Sequence, residues 1–120
     1  MIVEDNQEMA QMLATLLEFE GYRAVVCPSP EQALERMRET QADIVVMDFH
    51  LGEAVALRLL QSIRSDQELQ RIKVIVVSGD DQEVSARSAG ADAFLLKPFS
   101  VEELMQRIQQ LRQLNPEDLG

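Results

Sequence analysis

Cysteine is almost absent from the sequence. Cys27 stands alone, so an internal disulfide is excluded, and its setting at the end of an apolar run in AVVCPS reads as a small buried hydrophobe rather than a catalytic thiol. Basic residues are scarce as well. The 11 Lys plus Arg face 21 Asp plus Glu, a net charge of −10, and so acidic a surface is repelled by phosphate backbones and anionic bilayers. Direct binding to DNA, RNA or an anionic membrane is therefore not expected. The longest apolar runs fall far short of the roughly 20 residues that span a bilayer, and no charged segment precedes an apolar one at the start. A soluble, cytoplasmic protein is expected. What the chain does have is apolar mass for one core: 120 residues, 46% of them hydrophobic, suit a single compact domain.

Five short apolar runs recur: MIV at 1–3, AVV at 24–26, IVVM at 44–47, VIVV at 74–77 and FLL at 94–96. Runs rich in Val and Ile, without polar alternation, predict strands covered on both faces, as in a parallel sheet. Met1 opens inside a strand, so the first strand is expected to have lost upstream residues. Helical spacing separates the runs, with Met9, Met12, Leu13, Leu16 and Leu17 on one face of the first helix and Val101, Leu104, Ile108 and Leu111 on one face of the last. Ser29-Pro30 with Gln32, Asp80 with Glu83, and Ser100 with Glu103 predict helix starts; Gly21 and Gly90 predict stops. Helices are expected near 7–20, 30–39, 54–65, 81–89 and 101–114, with 81–89 the most loosely held because its apolar face is weakest. Strand–helix repeats with right-handed crossovers predict a doubly wound α/β sandwich over 1–114, followed by a tail at 115–120.

In such a sheet, ligands bind beyond the carboxyl ends of the strands. Glu4 and Asp5 follow the first run, Asp48 the third, Ser78 and Gly79 the fourth, Lys97 and Pro98 the fifth. Three crowded acids repel one another unless their pKa values rise or a cation intervenes. Mg²⁺, with Mn²⁺ as a substitute, suits carboxylate oxygens and leaves positions for phosphoryl groups. Asp48, alone at the middle of the site, is then the candidate nucleophile; Glu4 and Asp5 hold the metal, with the backbone carbonyl of His50 as a further oxygen. Lys97, Ser78 and the amide of Gly79 would meet phosphoryl oxygens.

With VEDN at 3–6, VVMDFHLG at 45–52, VVSGDD at 76–81 and GADAFLLKPF at 90–99, the chain resembles the receiver domains of two-component response regulators, the CheY-like superfamily. The resemblance covers essentially the whole chain. It implies a five-stranded parallel sheet in the order 2-1-3-4-5 with five helices, Asp48 as phosphoacceptor, Glu4 and Asp5 as the metal pair, and Ser78 with Phe94 as the switch. It also implies a cis bond at Pro98. The donor would be a phosphohistidine on a sensor histidine kinase or histidine phosphotransfer protein, and a homodimer could form through the fourth helix, fifth strand and fifth helix. The chain would be a phosphoacceptor regulator and not an enzyme, although a place within a larger hybrid kinase is compatible. It departs from the family pattern at Gly52, where proline is usual, at Ala56, where glycine is usual, and at Phe94, which lacks a tyrosine hydroxyl.

Each signal alone has an ordinary reading. Asp5 with Glu8 fits a capping box, Lys97-Pro98 and Ser78-Gly79 fit turns, and Asp48 could cap a loop. Met9, Met12, Met37 and Met105 read as core filler, Met105 as possible surface, and Arg64, Arg71 and Arg87 as solvated charges. Their joint placement at successive strand ends carries the functional reading. Competing readings are a phosphorylation-independent docking module, a small metal-dependent phosphatase and a flavodoxin-like ligand-binding protein. VEDNQEM stands where a glycine-rich phosphate loop would be needed for nucleotide binding.

Overall fold

Five strands, β1 (Ile2–Val3), β2 (Val26–Cys27), β3 (Ile44–Asp48), β4 (Lys73–Ser78) and β5 (Ala93–Leu96), pair in parallel in the order β2-β1-β3-β4-β5. The computed structural model describes residues 1–49 and 52–113. The helices among them are α1 (Gln7–Phe19), α2 (Ala33–Thr40), α3 (Glu53–Ser65), α4 (Glu83–Ser88) and α5 (Val101–Gln113). None is long and apolar enough to cross a membrane. The tail at 115–120 lies outside the described residues.

Strand alternation builds the two layers. Val3, Val45, Met47, Val74 and Val76 join the cluster that holds Met37 of α2, Leu60 and Ile63 of α3 and Ala86 of α4. Their neighbours Ile2, Val46, Ile75 and Val77 face the other way, onto Leu13 and Leu17 of α1 and Leu104 and Ile108 of α5. Both sheet faces are thus dry, which is why the strands read as unbroken apolar runs. Cys27 is fully buried, as its setting predicts.

Several sequence expectations need correction. The second strand is shifted from 24–26 to Val26–Cys27, the two residues that pair in register with Ile2 and Val3 of β1. Residues 30–32 form a 3-10 turn before α2, and the Ser29 hydroxyl bonds the Glu31 carboxylate instead of capping. α4 starts at Glu83, with the Asp80 amide bonded to Ser78 Oγ at 3.1 Å, so Asp80 is not its cap. Ser100 does cap α5, accepting from the Glu103 amide at 3.1 Å. Met12 is 55% exposed and not core. Arg64 is no solvated charge: its guanidinium donates to the carbonyls of Gly90, Gln70 and Ile72 and to Asp92, tying α3 to the entries of β4 and β5.

Candidate functional site

Register brings the strand ends level. Val3 pairs with Met47 and Asp48 with Val77, so Glu4 emerges beside Asp48; Ser78 pairs with Leu96, which places Lys97 one step beyond. A backbone bond from Lys97 N to Ser78 O at 2.7 Å locks the last two ends together. The Lys97–Pro98 peptide bond is cis.

Among the described residues, Glu4, Asp48 and Ser78 are the buried polar or charged ones, and all three sit at this edge. Lys97 Nζ donates to Asp48 Oδ2 at 2.6 Å, a charge-assisted bond to a carboxylate that is only 3% exposed. Both side-chain oxygens of Glu4 are buried without a hydrogen-bond donor. Its neighbour Asp48 is another carboxylate, and two carboxylates can bond only by sharing a proton. Burial, then the bond to and charge of Asp48, push the Glu4 carboxyl up to about 7; Lys97 pulls it down and Asp5 adds repulsion.

Asp5 is exposed at the mouth. Its alternative role as a helix cap belongs instead to its neighbour: Asn6 Oδ1 accepts from the Met9 amide at 3.1 Å, leaving Asp5 uncommitted to the helix end. Sequence reasoning passed over Asn6, although asparagine is as good a cap as aspartate. The Ser78 hydroxyl accepts from Asp80 N and keeps its own proton to donate. A Cβ added at Gly79 would meet nothing within 4 Å, so open space adjoins Ser78 on this side. Phe94 is buried in the cluster facing α3 and α4. His50 lies outside the described residues, and so does its backbone carbonyl.

Gly52, at φ +110°, occupies a region closed to proline, whose ring fixes φ near −65°. Ala56, four residues on, is fully buried beneath the start of α3.

The profile described as response regulator receiver domain matches residues 1–109. The chain belongs to the response regulator receiver family. It is 33% identical to the polar-differentiation response regulator DivK of Brucella ovis, over 91% of each chain. Among solved structures, it is similar to a response regulator receiver domain from Bermanella marisrubri (TM-score 0.85, 26% identity, 92% of this chain and 94% of that one). It is also similar to a putative response regulator from Chloroflexus aurantiacus (TM-score 0.84, 26% identity, 92% and 93%). The fold also matches 26% of the longer NtrX chain of Brucella abortus, at 24% identity.

Proposed function

We propose that this receiver domain is the phosphoacceptor of a two-component phosphorelay, with Asp48 taking a phosphoryl group from a phosphohistidine on a sensor histidine kinase or phosphotransfer protein. The observation that supports it most is the buried Asp48 carboxylate held at 2.6 Å by Lys97 beside a Glu4 whose oxygens have no donor. A docking-only module gains nothing from so costly a cluster.

A hard divalent cation fits this donor chemistry. The orphaned Glu4 oxygens are buried acceptors, and the neighbouring groups are carboxylates. Among the described residues, no three acidic, Cys or His side chains are already grouped as a metal site. Glu4, Asp5 and Asp48, with the backbone carbonyl of His50, would hold Mg²⁺ or Mn²⁺, water completing the shell. When bound, the cation offsets carboxylate repulsion and phosphoryl charge.

The chain's own residues then act in order. Lys97 holds the Asp48 carboxylate fixed. An Asp48 oxygen attacks phosphorus, the P–N bond breaks, and its electron pair leaves on the donor imidazole, which takes up a proton. Ser78 donates its hydroxyl proton to a phosphoryl oxygen, Lys97 supplies positive charge, and the Gly79 amide adds a donor. Water later attacks phosphorus, the O–P bond breaks with its electron pair returning to the carboxylate, and inorganic phosphate leaves, so the domain is a regulator that resets and not an enzyme with a separate substrate. The added charge biases Ser78 and Phe94, and through them the face of α4, β5 and α5. Val84, Leu96 and Val101 are exposed there by 81%, 48% and 37%, which suits a partner protein or a second copy.

Incubation with Mg²⁺ and acetyl phosphate should add one phosphoryl mass, absent in Asp48→Asn. No modification with metal present, together with no Mg²⁺-dependent beryllofluoride binding, would exclude the acceptor role and leave docking. Turnover of a nucleotide or phosphomonoester would favour a phosphatase.

A further inference from the structure

Charge is sorted along the axis of this fold. Basic residues close the helices, with Arg38, Arg64, Arg87 and Arg112 in the last turns of α2, α3, α4 and α5. Acids open them at the end where Asp48 lies: Glu8 in α1, Glu53 in α3 and Glu102 with Glu103 in α5, joined by Asp80 and Asp81 just before α4. These six are exposed, and none of them pairs with a cation among the described residues. Arg38, Arg64 and Arg87, by contrast, are matched by Asp66, Asp92 and Glu83.

Helix dipoles favour acids in first turns, which accounts for part of the pattern. They do not call for Asp80, which lies outside the helix, or for the lack of any lysine or arginine except Lys97 in residues 4–8, 52–55, 79–83 and 97–103. That one ammonium is bonded to Asp48. At the centre of the rim stands Glu4, 2% exposed, with two oxygens and no donor. A divalent ion held by Glu4, Asp5 and Asp48 leaves the six outer carboxylates uncompensated.

A rim of one sign steers whatever approaches the mouth it surrounds. Every phosphodonor brings an anionic phosphoryl group, so any net attraction has to come from the rest of the donor. A free acyl phosphate carries no such group. A carrier protein does when lysine or arginine flanks its phosphohistidine. Val55 and Val101, 39% and 37% exposed in the turns that carry Glu53 and Glu102, add apolar ground that a macromolecular donor can cover and a small solute cannot. On the acceptor reading of Asp48, we propose that the rim selects the phosphodonor by charge: it receives a carrier protein with a basic face around its phosphohistidine and slows small anionic donors.

Two synthetic peptides supply the test, Gly-Lys-Lys-His-Lys-Lys-Gly and Gly-Glu-Glu-His-Glu-Glu-Gly, each phosphorylated on histidine with phosphoramidate and then desalted. With Mg²⁺ saturating, the peptide's P–N bond breaks, its electron pair returning to the imidazole, as the Asp48 O–P bond forms; mass spectrometry follows the transfer. At about 20 mM salt the lysine peptide should react on the order of tenfold faster than the glutamate peptide, and at about 0.5 M the gap should close to within about threefold. The triple variant Glu53→Gln, Asp81→Asn, Glu102→Gln leaves the acceptor residues in place, and asparagine at 81 keeps an oxygen for the Glu83 amide. It should cut the low-salt gap to about a third and speed reaction with acetyl phosphate on the order of twofold. Equal rates from the two peptides at low salt, or a gap left intact by salt or by the triple variant, would overturn selection by the rim. No transfer to Asp48 from either peptide or from acetyl phosphate would overturn the acceptor reading along with it.

Discussion

Glu4→Gln should make the protein more stable at neutral pH and leave it unchanged in acid. In the folded chain the Glu4 carboxyl sits at about 7 against an ordinary 4.5, chiefly because it is buried, then because Asp48 is beside it. Between those values the folded state holds a proton that the unfolded chain releases. Stability therefore falls as pH rises from about 4.5 to about 7, and the full gap corresponds to roughly 3 kcal/mol. Glutamine imitates the protonated acid at every pH, and its amide can donate to Asp48, a bond the ionised pair lacks. Urea unfolding in EDTA, at steps from pH 4.5 to 8, measures the difference between the two proteins, so other titrating groups cancel. The curves should coincide at pH 4.5 and separate by about 1–2 M in midpoint at pH 8, with equal slopes. Mg²⁺ at ten times its dissociation constant should then return about 1.4 kcal/mol to the wild type at pH 8, and less to the variant. Parallel pH profiles, or a variant weaker than wild type at pH 8, would refute the claim that Glu4 is held at an electrostatic cost.

Two further substitutions probe how the frame is held. Arg64→Ala should cost about 2–3 kcal/mol in chemical denaturation, because it orphans the carbonyls of Gly90 and Ile72 and leaves the Asp92 carboxylate with the Val74 amide but no cation; Arg64→Lys should recover less than half, since an ammonium cannot replace the fork. Full recovery by lysine would show that charge alone matters there. Gly52→Pro, which restores the residue usual in the family, should destabilise rather than stabilise, because φ +110° is closed to proline. Gly52→Ala should cost about 1–2 kcal/mol by the same urea assay. A neutral Gly52→Pro variant would show that the loop takes another path.

What the sequence made legible followed from periodicity and adjacency. Unbroken Val/Ile runs identified a sheet covered on both faces, and the order 2-1-3-4-5 came from resemblance, because parallel runs alone do not say which neighbours which. The residues after each run indicated the site edge. Cap chemistry failed where two polar residues competed: Asn6 took the role open to Asp5, and Ser29 turned to Glu31. Arg64 was misread because its partners are backbone carbonyls, which have no letter in a sequence. The limits of β2 were misjudged because a strand exists only where a neighbour pairs with it, and β1 offers two residues to pair. The proton held at Glu4 was equally invisible, since it depends on how completely Asp48 and the surrounding strands exclude water.

On the proposed function, that hidden proton bears on how the domain responds. A ligand shifts an equilibrium only by its differential affinity for the two states. Here the resting site already contains unfavourable electrostatics, a near-neutral Glu4 against Asp48 with Lys97 as the nearby cation. A divalent ion must displace the Glu4 proton to use both oxygens, so metal affinity should climb with pH through about 7. Lys97 faces a choice once Asp48 is esterified, because the carboxylate it neutralises becomes part of a phosphoryl group with new oxygens. Its backbone nitrogen is tied to Ser78 O, so movement at one of these residues is felt at the other. The element next in line is α4, whose buried residue is Ala86 alone. A helix that buries one small side chain is the part of this fold that a change of charge at Ser78 can reposition at least cost.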